Sequence, residues 1–283
     1  MITLSIRSLF LVLLFILTSA WGDTAEDYFA KGKACAERAD WDTALANYNR
    51  AIEIKPDFAA VFASRGVLKK HKGDLEGALA DYNQAIRIDP NCFSAYGDRS
   101  HWKFEKGDLD GALADIDRAL QLKPDIAEGY YHRAAIKEKK GDAAGALSDY
   151  TKTIALKPDY VFAITNRGFL KSKLGDTAGA ITDYDKALSL DPKHYSAYVD
   201  RGLAKSVLGD LSGALSDYNR AIEIDPKLVN AYVARGFLEN RKGDIAGAKA
   251  DFSKAVELDP KKTEELLKVN GYSVDGTKTS SKP

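Results

Sequence analysis

The sequence is poor in the residues that staple or strongly charge a protein. Its 283 residues hold two cysteines, Cys35 and Cys92, and 41 lysines and arginines stand against 41 aspartates and glutamates. Two cysteines at unlike places are too few for a disulfide framework or a thiolate zinc site, and no bridge between them is expected. The balanced charge leaves no positive field to release counterions from a phosphate backbone or to hold an anionic membrane, so nucleic acid is not expected as a partner. Histidine is scarce as well. His71, His101, His132 and His194 form no nucleophile, metal or phosphate motif with their neighbours, so no enzyme, cofactor, metal or small-molecule substrate is expected.

Long apolar runs are also missing, with one exception that is itself short. "SLFLVLLFILTSA" from Ser8 falls below the ~20 residues of a membrane-spanning helix. With Arg7 before it and "AWG" ending at Gly22, residues 1–22 read as a cleaved export signal, which implies a periplasmic or secreted protein. The alternative is a membrane anchor over residues 8–20, and any membrane contact would come through that segment alone.

Proline is confined to a pattern. Pro56, Pro90, Pro124, Pro158, Pro192, Pro226 and Pro260 follow one another at intervals of 34 residues, and the eighth proline is the terminal Pro283. Such a period means stacked copies of one supersecondary unit, and it overrides the domain count that length alone would suggest. Seven copies span about 25–58, 59–92, 93–126, 127–160, 161–194, 195–228 and 229–262.

One copy, "YSAYVDRGLAKSVLGDLSGALSDYNRAIEIDPKL", holds two helices. Tyr198, Gly202 and Ala204 recur at helical spacing in the first; Leu211, Ala214, Leu215, Tyr218, Ala221 and Ile222 form a fuller stripe in the second. Between them Gly209 is suited to the left-handed end of one helix and Asp210 to the N-cap of the next, and Pro226 closes the unit. Gly202, Ala214 and Ala221 leave room for close helix approach, and a single hairpin needs its neighbours to bury its remaining faces.

The period, an aromatic near the start of most copies (Tyr28, Phe62, Tyr96, Tyr130, Tyr198, Tyr232), a small residue four later, and then alanine, aromatic, alanine and proline are similar to the tetratricopeptide repeat family. The resemblance covers about 240 of the 283 residues. It implies an all-α, right-handed superhelical solenoid of antiparallel helix pairs whose first helices line a concave groove. It also implies a non-enzymatic scaffold that holds a peptide or a partner protein there. The chain departs from the family pattern by placing arginine before the small residue (Arg65, Arg99, Arg133, Arg167, Arg201, Arg235) and lysine four residues after that arginine (Lys69, Lys103, Lys137, Lys171, Lys205). Each arginine has an aspartate in the second helix of its copy, from Asp81 to Asp251, and a structural ladder of ion pairs is the expected use.

By the same resemblance the groove carries His101, Phe104, Tyr131, His132, Phe162, Asn166 and Phe169, the candidate peptide-binding residues, with Val199, Leu203 and Phe237 further along. Aromatic anchors on such a face suit an extended peptide or an amphipathic helix. The lysine and arginine clamp by which one branch of the family grips C-terminal carboxylates is missing here; Gly97, His101, His132, Phe162 and Asn166 stand in its central places. His101 and His132 are placed to face each other across adjacent helices, with Asp98 near. A homo-oligomer, its groove filled by a second copy or by the chain's own tail, is the alternative function, and an RNA-reading helical-repeat protein is disfavoured by the period and the charge. Residues 263–271 read as a C-terminal capping helix and 272–283 as a disordered tail.

Overall fold

The computed structural model describes residues 22–270 and residue 272. The expected export signal and tail therefore lie, except for Gly22 and Tyr272, outside the described residues. The described residues form fifteen α-helices in two compact units that divide between Lys140 and Gly141. The first unit contains α1 (Ala25–Glu37), α2 (Trp41–Ile54), α3 (Ala59–His71), α4 (Leu75–Ile88), α5 (Phe93–Glu105), α6 (Leu109–Leu122) and α7 (Ala127–Lys139). The second contains α8 (Ala143–Leu156), α9 (Val161–Lys173), α10 (Thr177–Leu190), α11 (Tyr195–Val207), α12 (Leu211–Ile224), α13 (Val229–Lys242), α14 (Ile245–Leu258) and α15 (Pro260–Val269).

Short turns make the pairs. Gly73, Gly107, Gly141, Gly175, Gly209 and Gly243 all have φ between 84° and 90°, a region a side chain would strain. The following aspartate caps the second helix: the Asp74 carboxylate accepts from the Gly77 N–H at 2.9 Å, and Asp210 accepts from Gly213 at 2.8 Å. After the second helix an aspartate accepts from the N–H two residues on, as in Asp89 to Asn91 and Asp225 to Lys227, while the proline between them stops the helix.

Within the units the paired helices are antiparallel, and in most pairs a charged ladder fastens them. Arg65 of α3 donates from Nε and Nη2 to the two oxygens of Asp81 on α4, at 2.8 and 2.7 Å. One turn later Lys69 reaches the same carboxylate at 2.9 Å. The motif recurs as Arg99 and Lys103 on Asp115, Arg167 and Lys171 on Asp183, and Arg201 and Lys205 on Asp217. Each aspartate is buried, so bidentate pairing plus a second cation offsets its desolvation. A third guanidinium nitrogen links to the preceding repeat: Arg65 to Asn49 at 2.8 Å, Arg99 to Asn83 at 2.7 Å and Arg235 to Asn219 at 2.6 Å. The recurring arginines and lysines are structural, and they occupy the places where the family pattern has apolar residues.

Close approach accounts for the small residues. A Cβ added at Gly202 would lie 2.6 Å from the Tyr218 ring, and one at Gly66 would lie 2.6 Å from Tyr82. Two repeats depart from glycine here: the fourth has Ala134, and the third has Ser100, where Ile116 replaces the tyrosine and the serine hydroxyl donates to the Ala112 carbonyl at 2.7 Å. The alanine that opens the second helix of each repeat, Ala44 to Ala248, is buried in all seven.

The C-terminal cap differs from the expected 263–271. It begins at Pro260, because Asp259 switches from closing the seventh repeat to capping α15: its side chain accepts from the Lys262 N–H at 3.0 Å and proline takes the first helical turn. Leu267 is fully buried against α13 and α14. Tyr272, assigned from sequence to the disordered tail, is docked instead. Its N–H donates to the Leu267 carbonyl at 2.9 Å, and its ring packs on Phe237 with centroids 5.0 Å apart.

Candidate functional site

The candidate residues all sit on first helices, but they belong to different units. In the first unit α5 carries His101 and Phe104, and α7 carries Tyr131 and His132. The two imidazoles face each other with ring centroids 5.5 Å apart, and the Tyr131 ring meets His132 edge-on at 5.7 Å. Phe104 is half-buried. It packs beside the buried Ile116, Leu120 and Ile136, with the Lys139 ammonium over its ring at 5.0 Å, so it is a core contact more than an exposed anchor.

His101 and His132 line a cavity of about 300 Å³ together with Asp98, Phe93, Ile116 and Leu120. Gly97 and Gly129 keep it open; a Cβ at Gly129 would meet the Leu120 side chain at 2.7 Å. His101 Nε2 lies 3.1 Å from Glu105, which also holds Lys70 at 3.1 Å. Burial, followed by the Lys70 charge, pulls the His101 pKa below its ordinary value, so the ring is neutral at pH 7. Burial pushes the Asp98 carboxyl up to about 6. Asp98 does join the two histidines in this cavity, yet among the described residues no group of three or more His, Cys, Asp or Glu side chains is arranged to hold a metal ion.

In the second unit Phe162, Asn166 and Phe169 follow one another along α9 and share a cavity with His194, which ends the same repeat, and with Tyr195 and Asp200 of the next. Phe162 is 60% exposed and meets the His194 ring edge-on, with centroids 5.4 Å apart. Phe169 is 38% exposed beneath the Lys173 ammonium at 4.4 Å. Asn166 Nδ2 donates to the Tyr150 hydroxyl at 3.4 Å. Burial raises Asp200 to about 6. Leu203 stays exposed, as its assignment to the groove requires, whereas Phe237 is half-buried, packed against the terminal core and Tyr272.

Sequence reasoning passed over Asp200 and treated Asp98 only as a companion of the histidines. Aligning the repeats on that position gives Ser64, Asp98, His132, Asn166, Asp200 and Ala234, a column with no common structural residue.

Models of the tetratricopeptide repeat match residues 32–72 and 208–240, 59–92, 163–194 and 229–262, and 103–161. The chain belongs to the tetratricopeptide repeat family. Proteins of this family are generally non-enzymatic scaffolds that bind peptides or protein partners. No curated protein sequence matches this TPR protein. Among solved structures it is similar to a tetratricopeptide repeat protein from Parabacteroides merdae, with 21% identity over 88% of this chain and 99% of that one and a TM-score of 0.63. It is also similar to YrrB, described as a TPR protein with an unusual peptide-binding site, with 22% identity over 69% and 97% and a TM-score of 0.58. MamA shares 26% identity over 59% of this chain and 95% of its own, with a TM-score of 0.53.

Proposed function

We propose that this TPR protein is an exported, non-enzymatic scaffold that holds a peptide segment of a partner protein against its first helices. The observation that carries the reading is the exposure of Phe162, Phe169 and Leu203 on α9 and α11, in a unit that buries Tyr184 and Tyr218. Large apolar side chains kept in water on one face suit a docking surface. The absence of the family's carboxylate clamp sets the ligand apart from a C-terminal carboxylate. The apolar run after Arg7 is the basis for export.

The test is affinity capture from the exported fraction of the source cells with the full chain, run beside the Phe162→Ala and Phe169→Ala double variant. The parent is expected to retain a polypeptide that the variant loses, while stability shifts by no more than ~1 kcal/mol, as for two surface substitutions. A variant that retains the same polypeptide overturns the groove, and recovery of nothing but copies of the chain replaces partner binding with self-assembly. The chain recovered from that fraction is expected to begin at Asp23; Met1 retained in the membrane fraction would mean anchoring.

A further inference from the structure

Among the described residues each unit contains one partly buried aspartate that the fold leaves without a partner, and the two occupy the same place in their repeats. Among the described residues, the Asp98 and Asp200 side chains make neither a hydrogen bond nor an ion pair, in a protein whose ladder aspartates are each met by two or three donors. Both are largely withdrawn from water. A carboxylate in that state costs stability, and natural folds pair such a group or give it a task. The ladder shows that this sequence pairs carboxylates readily where the fold is the beneficiary.

The surroundings of each carboxylate describe what would match it. Around Asp98 the cavity wall is Phe93, Ile116, Leu120 and Ile126, and the charged side chains lining it are Asp98 and Glu128. Lys70, whose charge acts on Asp98, is engaged by Glu105 at 3.1 Å. His101 and His132 complete the wall, and His101 is neutral at pH 7. Around Asp200 the wall is Phe162, Phe169 and Tyr195, with Asp191, Lys193 and His194 at its side. Thr165, Asn166 and Ser196 also line the Asp200 cavity, so the wall around Asp98 is the more apolar of the two. A cavity that joins an apolar wall to an unmatched carboxylate is complementary to a side chain with an aliphatic stem and a cationic head. Lysine and arginine have that form. The Asp98 cavity, about 300 Å³, lies at the small end of ligand cavities and suits one side chain entering from a bound strand or helix, and the Asp200 cavity is wider at about 550 Å³.

We propose that Asp98 in the first unit and Asp200 in the second are specificity residues, each receiving a lysine or arginine side chain of a bound peptide, so that the segment held by either unit is one in which a basic residue is flanked by apolar ones. This rests on the peptide-scaffold reading above and names the chemistry of its ligand. The variability of the column supports it. Ser64, His132, Asn166 and Ala234 at equivalent places show that the fold does not require an acid there.

An array of random-sequence dodecapeptides probed with the full-length chain tests this, beside Asp98→Asn, Asp200→Asn and the double variant. Retained peptides are expected to be enriched in lysine or arginine flanked by apolar residues. The best of them should bind about tenfold or more weakly to the double variant, as expected for loss of one partner of a desolvated charge pair. Replacing its basic residue with neutral citrulline or norleucine should cost wild type the same factor and cost the double variant almost nothing. Retained peptides without basic residues overturn the proposal and leave the scaffold reading standing; so does a neutral replacement that costs both proteins equally. If wild type retains no peptide, both readings fall. The Asn variants are expected to melt at or above the parent temperature at pH 7.5, because an unmatched carboxylate has been removed. Melting below it would assign the aspartates to the fold and overturn the proposal.

Discussion

At the scale of single residues, the seventh repeat contains a substitution that works against the ladder. Where four described repeats place Lys69, Lys103, Lys171 or Lys205 on the ladder aspartate, the seventh has Glu239 beside Asp251. Glu239 Oε2 is buried with no hydrogen-bond partner, and Arg235 holds Asp251 by itself at 2.7 Å. Burial, and after it the Asp251 charge, pushes the Glu239 pKa above the ordinary carboxyl range. The sign follows: the folded state binds the Glu239 proton more tightly than the unfolded chain does, so ionisation costs stability above the raised pKa, and the cost disappears as pH falls through it. Glu239→Lys should therefore stabilise the protein by about 1–3 kcal/mol at pH 7, the range for relieving a buried unsatisfied group. The gain should shrink towards pH 4 in urea melts followed by circular dichroism. A gain independent of pH would mean that the charge clash is not its source.

At the scale of helices, the distance between paired helices is set by one contact, the small residue of the first helix against the aromatic of the second. Gly202→Ala puts a methyl 2.6 Å from the Tyr218 ring, closer than real contacts allow, so one helix must shift. A loss of about 1–3 kcal/mol is expected, as in overpacked cores. The third repeat already carries the compensated form, Ser100 with Ile116. Gly202→Ser should accordingly be costly alone and recover most of its loss when combined with Tyr218→Ile, a coupling that a double-mutant cycle of thermal melts would measure. Much of this level was legible beforehand. Glycine, aspartate and proline act within a few residues of themselves, so the turns and caps could be placed from composition. The start of α15 could not, because Asp259 and Pro260 match both a stop and a start. The choice between them depends on burial of Thr263 and Leu267, which local signals do not report.

At the scale of the whole molecule, stability in a repeat array is a sum of local terms, so a repeat lacking the common devices should open first. The first repeat is the candidate. Lys31, Cys35 and Asn47 stand where later repeats have the arginine, lysine and aspartate of the ladder, and Ala39 adopts φ 58° where they have glycine. Amide hydrogen exchange should show the lowest protection in α1 and α2, well below that of α11 and α12, and Ala39→Gly should raise it. Equal protection in the two helix pairs would mean that the ladder contributes little to local stability.

By itself, the sequence determined the all-helical class, the helix pairs and their repetition, and the family, because these follow from a period of 34 and from residues acting on their immediate neighbours. It also placed the candidate site on the first helices. Which of those side chains remain available was decided only in three dimensions. Phe162, Phe169 and Leu203 stay exposed, while Phe104 and Phe237 are half-buried, the one packed against a core cluster and the other against Tyr272. Asp98 and Asp200 look like any other acid in the sequence and become distinctive only when no cation reaches them. The reason is the same in each case: exposure and pairing depend on side chains supplied by the next repeat, about one period away, and not on the chain alongside.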